Sequence, residues 1–363
     1  MRNIFFLFFF AGSILSFGQE ADTSGRDRRG SVFGLPIVYV TPETSWAFGA
    51  AGIYSFYADR KAPVAGTRPS QLQLAFAYTL KKQILFYLPY DIFTGGNQYR
   101  FNGEIGLYRY TYFYFGIGNE YPDYDGELFG ISFARIRLNA LKKTQKHLFL
   151  GLRYWMDRFT IDEVEDQGLL TDRTVAGANG GMVSGLGPTL LIDSRDNLFF
   201  PRKGALVEAA VIAHAPLLGS DFSYSKFSVN ASRYLVPVPK TVLALNAYME
   251  FNSGTVPFNQ MALLGGAKKL RGYYEGRFRD KQLLILQGEW RFPIWKRFKG
   301  TIVGGAGMVA DKLANFNLDN LRPAYGAGLR YLALKAQQIH IRLDFAWGQN
   351  DNSGFYLTIG EAF

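Results

Sequence analysis

Three histidines, His147, His214 and His340, are the only imidazoles in the 363 residues, and there is no cysteine. Metal centres and nucleophile–base pairs need such groups at fixed spacings, and none of the three stands in a zinc or triad pattern. His340 alternates with apolar neighbours, which makes it a polar residue on the wet face of a strand. Gly185-Leu186-Gly187 and Gly304-Gly305-Ala306-Gly307 lack the following helix that a phosphate-cradling loop requires. Glycine inside a strand marks a bend or a close approach instead. Asp162-Glu163-Val164-Glu165-Asp166 has the charge to hold calcium weakly, but its spacing is not that of a calcium loop, and a solvated acidic loop is the simpler reading. No enzyme, cofactor or metal is expected. What remains is one connection, 253–280, with Gly265 and Gly266 ahead of Leu270, Arg271, Gly272 and Tyr273. Taken alone, those last four residues are a solvated loop with one arginine.

The elements that would position this loop alternate with period two. Ile339, Ile341, Leu343, Phe345 and Trp347 point one way, and His340, Arg342, Asp344 and Ala346 the other. Ala134, Ile136 and Leu138 oppose Arg135, Arg137 and Asn139; Trp290 and Phe292 oppose Gln287, Glu289 and Arg291. A soluble sandwich also alternates, but it seldom sets such bulky apolar residues against charged ones in strand after strand. The expected strands are 33–41, 46–57, 70–80, 83–92, 98–110, 127–141, 146–159, 183–194, 204–215, 221–235, 240–252, 281–293, 299–309, 322–334, 337–348 and 353–363. The fold class expected is all-β: a transmembrane antiparallel barrel of about 16 strands, an even number as single-chain bacterial barrels require.

The two ends of the chain agree. Arg2 and the apolar run Ile4–Ala11, followed by Ser16-Phe17-Gly18, read as a signal peptide over 1–18, cleaved before Gln19. The run is too short for a ~20-residue membrane helix. Residues 19–32 then form a short periplasmic segment, and 33–363 the outer-membrane barrel. With a periplasmic N-terminus, the long connections 111–126, 160–182, 253–280 and 310–321 fall outside the cell, although the first two hairpins invert that asymmetry. The last strand puts Phe355, Leu357, Ile359 and Phe363 on one face, with Glu361 breaking it at the periplasmic rim. So apolar an edge aggregates unless paired, so closure against the first strand is expected. Lys and Arg number 40 against 30 Asp and Glu, dispersed and without a nucleic-acid motif. Lining a lumen or meeting anionic headgroups accounts for that excess, making membrane lipid a partner and nucleic acid not one.

Leu270-Arg271-Gly272-Tyr273, placed between the eleventh and twelfth strands, resembles the R-G-F/Y motif of the BamA/TamA-like outer-membrane assembly and translocation superfamily, the bacterial surface antigens. Asp193-Ser194-Arg195-Asp196-Asn197 with Phe200-Pro201 and Lys203-Gly204 resembles its turn after strand eight, and Arg342–Trp347 its penultimate strand. The resemblance implies a sixth extracellular loop inserted in the lumen, its arginine paired with acids on the next two strands. Glu289 is then the partner of Arg271, while Gly305 stands where the family has its second acid, so a one-acid clamp is expected. It further implies a lateral seam between the first and last strands, weakened here by Gly34, Pro36 and Gly360 and ending on Phe363. Too few residues precede the first strand for a periplasmic POTRA module, so a barrel-only member is expected, with periplasmic or outer-membrane subunits supplying that function and client outer-membrane proteins as substrates. A passive pore or a structural scaffold in an envelope complex is the alternative. An outer-membrane lipase or protease lacks a site.

Overall fold

The computed structural model describes residues 30–41, 45–59, 67–120, 124–335 and 338–363. The expected signal peptide and most of the short segment after it lie outside the described residues.

Sixteen strands form one antiparallel sheet in chain order. They are β1 (Ser31–Thr41), β2 (Ser45–Phe56), β3 (Ser70–Thr79), β4 (Ile84–Thr94), β5 (Tyr99–Tyr114), β6 (Glu127–Lys143), β7 (Leu148–Val164), β8 (Gly181–Asp193), β9 (Gly204–His214), β10 (Tyr224–Leu235), β11 (Val242–Gly254), β14 (Gln282–Trp295), β15 (Phe298–Ala310), β16 (Arg322–Leu334), β17 (Ile339–Trp347) and β18 (Ser353–Ile359). Inside the connection between β11 and β14, β12 (Ala262–Leu264) pairs with β13 (Phe278–Asp280) as a separate small ribbon. That ribbon is absent from the sequence reading, because three-residue strands carry too little periodicity to register.

Exposure is inverted relative to a soluble protein. Leu286 is 68% exposed and Ile302 58%, while Arg291, Arg330, Arg342 and Asp344 are at 1% or less. On β17 the buried residues include His340, Arg342, Asp344 and Ala346, and Leu343, Phe345 and Trp347 are exposed. Only an apolar surrounding makes an outward row of Leu, Ile and Phe favourable, and only paired charges are tolerable within.

Two expectations change at the edges of the sheet. Among the described residues, no ladder joins β1 to β18, so the expected closure of the last strand on the first is not part of the observed pairing. The last strand also stops at Ile359 rather than at Phe363. Gly360 adopts φ +83°, a left-handed conformation that glycine enters without steric cost, and its N–H donates to the His340 carbonyl (2.9 Å). The chain then turns inward. Glu361, expected on the outer face at the rim, has its side chain buried and accepts from Arg330 Nε (3.0 Å). Phe363 is drawn to Arg291, whose Nη2 donates to its main-chain oxygen (3.3 Å). The buried guanidiniums outcompete the period-two pattern for these last residues, since an acid facing lipid has no partner.

Candidate lumenal site

The connection from 255 to 281 folds back inside the sheet. Gly265 N–H donates to the Lys269 carbonyl (2.7 Å) and Gly266 N–H to the Tyr273 carbonyl (2.9 Å), which closes the tip into a tight double turn. Leu270 sits within it at φ +68° and is 1% exposed. Such a conformation costs a branched residue about 1–3 kcal/mol, and burial of its side chain opposes that cost. Gln287 of β14 clamps the turn from below: its Oε1 accepts from Leu270 N–H (3.4 Å) and its Nε2 donates to the Lys268 carbonyl (2.7 Å).

Arg271 projects from this tip into a buried charge cluster. One guanidinium nitrogen contacts Glu289 of β14, and another lies 2.5 Å from Asp344 Oδ2 on β17. Burial opposes the charge on Arg271, but the Glu289 and Asp344 carboxylates outweigh it and hold the pKa above the ordinary arginine value. The expectation of a one-acid clamp is corrected here. Gly305 lies on β15 opposite Gln287, and the second carboxylate comes from Asp344, 73 residues further along the chain than Arg271. Three further arginines complete the cluster. Arg291 Nη2 lies 2.7 Å from Glu289 Oε2, Arg330 bridges Asp344 and Glu361, and Arg342 Nε lies 3.4 Å from Asp344 Oδ2. Arg342 also donates to the Ala267 carbonyl of the loop (3.1 Å).

Gly272 and Tyr273 fix the loop to the last strands. Gly272 has φ +108°, and a Cβ there would lie 2.7 Å from the Trp347 carbonyl carbon. Its N–H donates to Tyr356 Oη of β18 (3.0 Å), and that hydroxyl donates onward to the Tyr273 carbonyl (3.2 Å). Tyr273 is fully buried; its own hydroxyl donates to the Pro323 carbonyl (2.7 Å) and accepts from Gln349 N–H (2.9 Å). Sequence reasoning missed Tyr356. The signal was available: it shares the inward register of Asp344, its cross-strand partner.

The loop also reaches the opposite wall. Gln260 Nε2 donates to Asp157 of β7 (2.9 Å), and its carbonyl accepts from Lys226 Nζ of β10 (3.1 Å). Phe258 packs among Tyr114 and Phe129 in an apolar cluster that continues into the 165–180 connection through Leu170. The loop therefore spans the lumen from β7 to β18. Of the expected seam residues, Gly34 and Pro36 stand on β1 opposite Gly52 and Ala50, Gly360 ends β18, and Phe363 lies in the lumen beside Arg291 rather than on the outer face.

A direct test of the two-acid clamp is Gly305→Asp, which restores an acid on β15. A Cβ at Gly305 would lie 2.6 Å from the Leu286 carbonyl oxygen and 2.7 Å from Gln287 Cβ. The substitution should destabilise the barrel by about 1–3 kcal/mol through overpacking rather than strengthen loop anchorage. A raised melting temperature in detergent would contradict this.

Residues 182–363 match the family model of the Omp85 superfamily domain. Among solved structures, the chain is similar to BamA from Haemophilus ducreyi lacking POTRA domains 1–3, with TM-score 0.58 and 14% identity over 92% of this chain and 69% of that one. It is also similar to CdiB from Acinetobacter baumannii (TM-score 0.56, 10% identity, 92% of this chain and 60% of that one). CdiB from Escherichia coli compares at TM-score 0.57 and 11% identity, over 91% and 62% of the two chains. Among curated proteins, none matches the chain by sequence.

Proposed function

Because this chain belongs to the Omp85 superfamily, we propose that it works in the Gram-negative outer membrane, assisting the insertion or translocation of client proteins at a lateral seam between β1 and β18. The observation that carries this reading is the contact between the lumenal loop and β18. Tyr356 receives the Gly272 N–H and donates to the Tyr273 carbonyl, so the loop that holds Arg271 also holds the strand that borders the seam. Release of the loop would free that strand, and a client strand could then pair with its open edge, since an unpaired edge is a template for β-augmentation. Pro36 on β1 lacks a ladder donor, and Gly360 ends β18 early; both lower the number of bonds that closure across the seam would form. Client outer-membrane proteins, membrane lipid and envelope subunits that deliver clients are the partners of this reading. The signal peptide over 1–18 would direct export.

The test is a cysteine pair, one partner in Ser31–Thr41 and one in Ser353–Ile359, in the otherwise cysteine-free chain. Oxidation should lower client assembly into liposomes at least tenfold, and reductant should restore it. Client assembly that proceeds equally with the pair oxidised would count against the seam. The alternative of a passive pore is disfavoured by the loop crossing from Asp157 to Asp344. It would require steady single-channel conductance from the intact protein in planar bilayers.

A further inference from the structure

At the end of the barrel that holds the C-terminus, a cavity of about 210 Å³ opens between the connections that follow β8, β10 and β16 and the adjoining ends of β14 and β15. Four cationic side chains line it, Arg202, Lys240, Arg291 and Lys299, together with Phe200 and Val242, and no carboxylate does. Arg291 is 1% exposed. Its Nε and Nη2 are occupied by Glu289, by Glu361 (3.6 Å) and by the Phe363 oxygen, but Nη1 has no hydrogen-bond partner. Lys299 Nζ rests 3.6 Å from the Phe200 ring centroid, and the Phe200 ring in turn packs against His340, tilted by 38° with centroids 4.4 Å apart. Among the described residues, none of Arg202, Lys240 and Lys299 is in an ion pair. The acids of the flanking turn are otherwise engaged: Asp193 holds Arg195 and Arg68, and Asp196 accepts from the main-chain N–H groups of Arg202 (2.8 Å) and Lys203 (3.1 Å).

An orphaned, buried guanidinium N–H beside unpaired cations is costly unless an anion completes it. We propose that this pocket binds a phosphate group, carried by a lipid headgroup at the membrane rim or by a free phosphate ester. Arginine supplies a directed fork and lysine a compact charge, the combination that phosphate oxygens accept from several sides. Phe200 excludes water from one wall, which strengthens those contacts. The surrounding rim steers anions to the site: Lys146, Lys203, Lys296, Arg297 and Lys335 are exposed in turns at this same end, and Lys142 is exposed near the end of β6.

The experiment uses the full chain in detergent micelles, titrated with inorganic phosphate by calorimetry, and in nanodiscs of phosphatidylglycerol mixed with phosphatidylcholine, with retained lipid counted by native mass spectrometry. Arg202→Gln/Lys240→Gln/Lys299→Gln should weaken binding at least tenfold while keeping the folded, heat-modifiable band. Lys142→Gln/Lys146→Gln, on the rim but outside the pocket, should change it less than twofold. Phosphate binding without enrichment of phosphatidylglycerol identifies a free ester, and enrichment identifies a headgroup; either supports the site. No binding of either probe, or equal loss in both variants, overturns it. Neither readout involves the β1/β18 seam, so failure of the seam mechanism leaves this test intact.

Discussion

Replacing Asp344 by asparagine should cost the folded barrel about 3–5 kcal/mol, the range for breaking a buried ion pair by removing one partner. The reason lies in the composition of the cluster. Arg271, Arg291, Arg330 and Arg342 face Glu289, Asp344 and Glu361, four cations against three carboxylates. Asparagine keeps the shape of Asp344 and removes its charge. Arg271 and Arg330 each lose a direct carboxylate contact, and Arg342 loses its 3.4 Å neighbour. Four buried guanidiniums then face only Glu289 and Glu361, and Arg342 keeps no carboxylate contact. Thermal unfolding in detergent and the fraction of heat-modifiable folded band on cold electrophoresis would measure the loss. An unchanged melting temperature would remove the cluster from any role in stability.

Arg271→Ala should also destabilise, but less, toward the lower end of about 3–5 kcal/mol. It leaves Glu289 paired with Arg291 and Asp344 paired with Arg330, so no carboxylate is stranded and the cluster becomes balanced. What is lost is the anchor of the loop tip, and with it the Gly272 and Tyr273 contacts to Tyr356 that depend on the tip's position. Arg271→Lys should recover little, because one ammonium cannot reach Glu289 on β14 and Asp344 on β17 with two separate nitrogens. The pair supplies a sharper result. In a double-mutant cycle, Asp344→Asn with Arg271→Ala should be no less stable than Asp344→Asn alone, since the second change removes one cation from a cluster the first left with four arginines against Glu289 and Glu361. Simple additivity of the two losses would refute the electrostatic account and leave only packing. Client assembly measured on Arg271→Ala protein that still folds should fall with the loop's hold on β18, linking this cluster to the proposed seam.

The strand count and the inward or outward side of most residues were legible without any structure. Period-two alternation is a local property, so Arg342 and Asp344 declare their face within β17 alone, and the strand limits from β14 to β17 fell within two residues of those observed. The glycine and arginine content of the loop tip was equally local, and the motif resemblance placed it in the right connection. Three features were not legible. The second acid for Arg271 depends on which inward residues share one level of the lumen, and that level is fixed by the register of β14 against β15, β16 and β17, not by neighbours in the chain. The inward turn at Gly360 depends on Arg291 and Arg330 waiting inside for Glu361, a competition between lipid and buried charge that a single strand's pattern does not record. The cationic pocket beneath Phe200 exists only because three separate connections meet the ends of β14 and β15 at one rim. Alternation decides which side a residue faces; the three-dimensional register decides what it meets there, because an ion pair is set by distance in space and is indifferent to distance along the chain.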